Sequence, residues 1–124
     1  MIGYTCVGTN HLDNAVHFYS ELLGVLGAKP FFQTERGVGW GISPSKPMLS
    51  VMKPFDGQPA TVGNGTMVAL TADNPEQVQA LHAKALALGG TDEGTPGPRG
   101  HGFYGAYFRD LDGNKLAAFC FVKI

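Results

Sequence analysis

The stretch YGAYFRDLDGNKLAAF, residues 104–119, predicts two strands joined by a tight turn. Aromatic and small residues alternate over residues 104–108, and Asp112-Gly113 is a strong signal for a hairpin turn. A second apolar strand follows over residues 116–122. The sequence therefore predicts a β-hairpin, and the other elements are placed relative to it.

The first half of the chain predicts the order β-α-β-β-β. Residues 2–8 indicate a strand, and residues 12–26 place apolar side chains at the spacing of one helical face. Asn10 and Asp13 have the spacing of a capping box for that helix. Three short apolar stretches typical of an antiparallel meander follow, at residues 31–34, 38–42 and 48–52.

The second half repeats this order after a linker rich in glycine and proline at residues 54–65. A strand is predicted over residues 66–72, and Asn74 and Gln77 form a second capping box, with Pro75 at the first helical position. After this helix, the sequence predicts a short strand near residues 91–93, a loop over residues 94–102 and the closing hairpin.

The repeat predicts a single domain of residues 1–124, because an offset of about sixty residues superimposes both strands and helices. The fold class is α+β, with two tandem β-α-β-β-β modules at about residues 1–55 and 66–124. Two unrelated ferredoxin-like halves are the alternative that the pattern leaves open.

Composition limits the partners of this domain. Charged residues make up 15% of the 124 residues and the formal net charge is −1, so we expect no nucleic acid and no membrane as a partner. The sequence shows no charged leader and no long apolar segment, which predicts a cytoplasmic location. Cys6 and Cys120 lie in apolar strands, which favours buried, reduced thiols.

The pattern F-x-D-x-D-G-N at residues 108–114, followed by an apolar strand, resembles the closing hairpin of the vicinal oxygen chelate superfamily. That superfamily includes glyoxalase I, bleomycin-resistance proteins, fosfomycin-modifying enzymes and extradiol dioxygenases. The segment LDNAVHFYSELL at residues 12–23 resembles its first helix, and ALGG at residues 87–90 resembles the end of its second. The resemblance implies a cup-shaped mixed sheet with the helices outside.

The resemblance also implies where a divalent metal would bind. Relatives take His, His or Gln, and Glu ligands from three strands, and the matching positions here are Tyr4, Met67 and Ala117. A neutral phenol, a soft thioether and a methyl group cannot replace hard nitrogen and oxygen ligands. We therefore expect no metal and no other cofactor, with Cys6, Ala69 and Phe119 extending an apolar inner wall.

A glycine-rich loop before the hairpin supplies candidate polar contacts at the mouth of the cup. Arg99, His101 and Tyr104 could present a cation, a titratable ring and a phenol to a ligand, although an exposed turn is an equal alternative. Trp40 lies between two glycines, which makes it a candidate for stacking on a ligand, with a core or dimer-interface position as the alternative.

Three functions follow as expectations. The first is a homodimeric, metal-free protein of the bleomycin-resistance kind that binds a largely apolar small molecule. The second is a lyase or isomerase of the lactoylglutathione-lyase type that acts on a vicinally oxygenated or glutathione-conjugated substrate, with Tyr4, His101 or a displaced metal providing the chemistry. The third is a structural or regulatory domain. The residues assign no catalytic group.

Overall fold

The computed structural model describes residues 1–123, which form two helices and eight strands. In chain order these are β1 (Tyr4–Gly8), α1 (Leu12–Gly24), β2 (Lys29–Gln33), β3 (Gly37–Gly41), β4 (Met48–Met52), β5 (Val68–Thr71), α2 (Pro75–Ala87), β6 (Thr91–Pro98), β7 (Phe103–Arg109) and β8 (Lys115–Phe121). Each helix has 13 residues, and neither is long and apolar enough to cross a membrane.

The strands form two mixed, four-stranded sheets, which confirms the α+β class and the two β-α-β-β-β modules. The first sheet has the order β1-β4-β3-β2 and the second the equivalent order β5-β8-β7-β6. In each sheet the first and last strands of the module are parallel neighbours, and the other pairs are antiparallel. The sheets are not joined into one closed cup, so β1 and β5 each have a free edge.

A continuous apolar core lies between the sheets and the helices. Strand alternation sends one set of side chains of β8, namely Leu116, Ala118 and Cys120, toward α2, and all three are buried. Helix α1 contributes Phe18 and Leu22 to the same core. In each strand, the residues that alternate with these buried ones therefore lie on the face of the sheet turned away from the helix.

The closing hairpin forms as the sequence predicts. Strands β7 and β8 pair in antiparallel register from Phe103 opposite Phe121 to Arg109 opposite Lys115. Gly113 in the turn has φ of +91°, a conformation that glycine adopts at little cost.

The hairpin turn also carries a network of buried hydrogen bonds, centred on Asp110 and Asn114, that joins the two modules. We call this network the polar lock. The buried Asp110 carboxylate accepts hydrogen bonds from the Tyr19 hydroxyl of α1, from the Asn114 side chain and from the amides of Asp112 and Asn114. The Asn114 side chain also donates to the Gly8 carbonyl at 2.9 Å. The D-x-D-G-N pattern therefore joins the second module to the first strand and helix of the chain.

The two helix starts differ in how well the sequence predicted them. The Asn74 side chain accepts a hydrogen bond from the Gln77 amide at 2.8 Å, which confirms the cap of α2. The proposed cap of α1 by Asn10 is wrong, because α1 begins after His11 without a side-chain cap. The Asn10 side chain instead accepts a hydrogen bond from the Ala60 amide at 2.7 Å and so holds the linker.

The strand β6 is longer than the sequence predicts. It continues to Pro98, through most of the segment expected to be a loop, and its pairing with β7 has two irregularities near Gly94. Because β6 is an edge strand, its prolines remove no hydrogen bond from the middle of the sheet. The loop before the hairpin is therefore shorter than the predicted loop over residues 94–102, and this changes the surroundings of Arg99 and His101.

Candidate functional site

The inner face of each sheet, defined here as the face turned away from its helix, carries most of the predicted binding residues. On the second sheet, Ala69 of β5 pairs with Ala117 of β8, and Phe119 lies two residues further along β8 on the same face. Ala117 is buried, Phe119 is half-buried and Ala69 is exposed. The expectation that these three side chains share one apolar face follows directly from the pleat of the sheet.

An aromatic cluster extends this face. Phe103 and Phe119 stack with ring centroids 5.3 Å apart and an interplanar angle of 6°, and Phe121 packs edge-on against both rings. The Phe121 side chain is 72% exposed. Sequence reasoning identified only Phe119, although the alternation along both strands of the hairpin would have placed the other two rings beside it.

The inner face of the first sheet holds Tyr4 and Cys6, both of which are exposed. Cys6 has a free thiol and accepts a hydrogen bond from the Ser50 hydroxyl at 2.8 Å. The expectation of a buried Cys6 is wrong, because strand alternation sends the side chain of the neighbouring Val7 into the core instead. Cys6 lines its own cleft of about 410 Å³, separate from the residues of the second sheet.

Trp40 does not offer an open ring face, so its proposed stacking role is wrong and the core alternative is confirmed. Its side chain is 1% exposed, packs beside the Tyr19 ring at 5.8 Å between centroids, and donates from Nε1 to the Ser20 hydroxyl at 3.1 Å. The glycines beside it point to the opposite face of the strand. They make room there for other side chains, since a Cβ on Gly39 would lie 2.1 Å from the Phe32 ring.

Tyr104 belongs to the helix side of the second sheet, which corrects its placement at the mouth of a cup. It is half-buried against the core, and its hydroxyl accepts a hydrogen bond from the Gln79 side chain of α2 at 2.9 Å. The loop entering β7 therefore does not gather Arg99, His101 and Tyr104 into one cluster.

Arg99 and His101 remain at the surface. His101 is exposed with φ of +54°, the one residue other than glycine with a positive φ among residues 1–123. The Arg99 guanidinium lies 5.6 Å from the centroid of the Tyr107 ring and donates to the carbonyls of Thr95 and Gly97. Those contacts hold Arg99 at the edge of the inner face. The proposed role of His101 in ligand binding stays a prediction.

A mainly apolar groove of about 530 Å³ lies between the modules. It includes two of the predicted residues, Met67 and Ala69, and all four residues of β5. Because neighbouring strand residues point to opposite faces, a groove that contacts every residue of β5 runs along its free edge. We call this cleft the apolar groove. Its wall from the first module includes Ile2, Leu26, Ile42, Lys46 and Met48.

The residues at the implied metal positions do not fit a divalent metal. Tyr4 and Met67 are 60% and 44% exposed, and neither they nor Ala117 provide the hard anionic or imidazole ligands that such sites use. Within residues 1–123, no three His, Cys, Asp or Glu side chains come together in an arrangement that could hold a metal ion.

A titratable pair that links helix α2 to strand β6 lies outside these clefts. The buried His82 side chain of α2 bonds the Asp92 carboxylate at 2.9 Å, and this hydrogen bond holds the pKa of Asp92 below its usual value. His82 is therefore a buried, packed residue of α2.

Comparison with solved structures gives full-length matches. A glyoxalase/bleomycin resistance protein from Albidiferax ferrireducens T118 is 40% identical, with a TM-score of 0.87, 97% of this chain and 98% of that chain covered. A putative glyoxalase from Bacillus halodurans is 21% identical, with a TM-score of 0.78 and coverage of 97% and 95%. A lactoylglutathione lyase from Agrobacterium tumefaciens is 22% identical, with a TM-score of 0.70 and coverage of 97% and 92%.

The match at 40% identity is close enough to indicate shared ancestry, whereas the two more distant matches show a shared fold alone. A comparison with curated proteins found no match. The family profile described as Glyoxalase/Bleomycin resistance protein/Dioxygenase superfamily matches residues 1–118. The chain therefore belongs to the glyoxalase/bleomycin resistance protein/dioxygenase superfamily.

Proposed function

We propose that this chain is a metal-independent member of its superfamily that binds a largely apolar small molecule in the apolar groove. The single observation that carries the proposal is the groove itself, which has a volume of about 530 Å³. Small-molecule sites typically occupy about 300–1,000 Å³ and are lined mainly by apolar side chains with a few polar groups.

The lining of the groove favours a ligand with an apolar body and one polar end. Met48, Met67 and Leu70 supply flexible or apolar contacts, and Met adapts well to ligands of different shape. Lys46 is the charged residue in the lining, and Thr5 and Thr71 add hydroxyl groups. The free edge of β5 adds backbone donors and acceptors, which suits a ligand that carries a carbonyl or hydroxyl group.

A probe experiment tests this assignment before the natural ligand is known. The dye 1-anilinonaphthalene-8-sulfonate has an apolar ring system and an anionic end, and we expect it to bind the native protein with saturable fluorescence. Ala69→Trp places a large side chain in the groove and is expected to weaken binding at least about tenfold. Ala83→Trp, on the exposed side of α2, is the matched control and should bind the dye as the unmodified protein does. Equal binding by both variants would remove the groove from consideration.

The lyase alternative requires groups that the residues do not supply at the expected positions. A glyoxalase-type reaction uses a divalent metal as a Lewis acid on vicinal oxygens. Tyr4, Met67 and Ala117 give no ligand set for that ion, so we place binding ahead of catalysis. Co-purified ligands identified by mass spectrometry would name the chemical class that the groove selects.

We also propose that the protein is a homodimer, with a cytoplasmic location supported by its two free thiols. Strands β1 and β5 have free edges, and Tyr4 and Phe121 expose 60% and 72% of their surface on the inner faces. Unpaired edges and exposed aromatic side chains favour association. Light scattering at micromolar concentration is expected to give twice the chain mass of 13.1 kDa, and a monomer mass would contradict the proposal.

A further inference from the structure

The inner face of the second sheet carries two cations directly opposite each other. Arg109 at the end of β7 pairs in register with Lys115 at the start of β8. Like charges at directly opposed positions destabilise a pair of strands. The chain has only nine Lys and Arg residues, so the placement of two of them side by side requires a physical reason.

Protein groups offset this charge only in part. Arg109 donates from Nε to the Glu93 carboxylate at 2.8 Å and from Nη1 to the Gly113 carbonyl at 2.9 Å. Within the described residues, its Nη2 group donates to no protein acceptor. Among residues 1–123, Lys115 has no carboxylate within 4.0 Å, and its ammonium group lies 5.6 Å from the centroid of the Tyr107 ring. One positive charge therefore remains without a counter-charge.

Both cations line a cleft of about 550 Å³ whose other wall is the linker turn at residues 62–67. Gly63 and Gly65 have φ of +71° and +96°, and Thr66 donates to the Gly63 carbonyl at 3.2 Å to close the turn. In the described part of the chain, the amide N–H groups of Gly63, Asn64 and Gly65 donate to no protein acceptor. We call this cleft the basic pocket.

We propose that the basic pocket binds an oxyanion, the phosphate or carboxylate group of a small molecule. Its lining contains two cations and no Asp or Glu, and its turn leaves backbone donors free. Hydrogen bonds from cations and backbone N–H groups to such oxygens are stronger than those between neutral groups. An anion placed between Arg109 and Lys115 also removes the repulsion between them. The proposal does not depend on the ligand of the apolar groove, although Met67 lines both clefts.

Titration with inorganic phosphate, followed by amide NMR at constant ionic strength with chloride as the replaced anion, tests the site. We expect saturable shifts at residues 63–66 and at the Arg109 side chain. Lys115→Gln should weaken phosphate binding at least about tenfold, whereas Lys29→Gln, an exposed lysine on a strand of the other module, should leave it unchanged. Shifts that fail to saturate, or that respond equally to both variants, would show general screening of charge and overturn the proposal.

A parallel titration with acetate separates the two sources of the anion. Tighter binding of phosphate assigns a phosphorylated ligand, and equal or tighter binding of acetate assigns a carboxylate. Lys115→Glu provides a second check that does not rely on loss of binding alone. It converts the repulsive pair into an attractive one, so its thermal midpoint should rise while phosphate no longer shifts it. A lower midpoint together with retained phosphate binding would contradict the proposal.

Discussion

Replacing Asp110 with alanine is expected to lower the free energy of unfolding by about 3–5 kcal/mol. The carboxylate is buried and accepts hydrogen bonds from Tyr19, from the Asn114 side chain and from two backbone amides. Hydrogen bonds to a charged group contribute about 1.5–3 kcal/mol each, and their donors are left unpaired when the carboxylate is removed. Chemical denaturation measures the change.

Asp73→Ala is the matched control, because Asp73 is exposed and its carboxylate makes no hydrogen bond within residues 1–123. We expect it to change stability by less than about 0.5 kcal/mol. If Asp110→Ala is no more destabilising than this control, the hairpin turn does not lock the modules together.

The hydrogen bond between Tyr19 and Asp110 in the polar lock makes the stability of the protein depend on pH in the alkaline range. Burial, reinforced by the Asp110 charge, raises the pKa of Tyr19 well above its usual value of 10.0. The folded state therefore holds the phenol proton more tightly, and this contribution to stability is complete below pH 10 and is lost as the pH rises toward the folded-state pKa. Tyr19→Phe should be less stable than the native protein at neutral pH but should lose less stability above pH 10.

Trp40→Ala is expected to lower the free energy of unfolding by about 3–5 kcal/mol, the usual cost of removing a large aromatic side chain from a core. The ring is 1% exposed, packs beside Tyr19 and donates to Ser20, so its removal creates a cavity and an unpaired hydroxyl. Thermal or denaturant unfolding measures this change.

The milder Trp40→Phe variant separates the core role from a binding role. It retains most of the apolar volume, and we expect it to fold and to bind the anilinonaphthalene dye as the native protein does. A loss of dye binding of about tenfold or more without a change in stability would return Trp40 to the ligand site.

Elements whose stabilising contacts are local could be predicted from the sequence. The hairpin follows from alternation on both sides of Asp112-Gly113, and α2 follows from Asn74, Pro75 and Gln77 within one turn. The internal repeat supplied the order of both modules, because each module must bury the same face of its sheet under one helix. The family motif was recognised, but its role as a lock depended on Tyr19, which is 91 residues from Asp110 in the chain.

Features decided by distant contacts were not predictable in the same way. Asn10 lies where a helix cap is expected from the sequence, yet its side chain accepts a hydrogen bond from the amide of the linker residue Ala60. The glycines on either side of Trp40 suggested an exposed ring. These glycines instead make room on the opposite face of β3 for the side chains of Phe32 and Met48, while the Trp40 ring is buried. Neither contact leaves a local pattern in the sequence.

The candidate site was predicted in part. Alternation correctly placed Ala69, Ala117 and Phe119 on one inner face, whereas Tyr104 turned toward α2 because β7 buries that side of the sheet. The apolar groove depends on the gap between β5 and the first module, and the basic pocket on the path of the linker. Both clefts depend on how the modules and the linker are arranged in space. The periodicity of the sequence carries no information about that arrangement.

Elemental analysis of the purified protein after incubation with Zn²⁺, Ni²⁺, Fe²⁺ or Mn²⁺ and removal of free ion tests metal independence most directly. With a phenol, a thioether and a methyl group at the implied ligand positions, we predict well below about 0.1 equivalent of any divalent metal per chain. About one tightly bound equivalent, lost from variants of Tyr4 or Met67, would contradict the account, because it would show that these strands hold a metal through ligands of another kind.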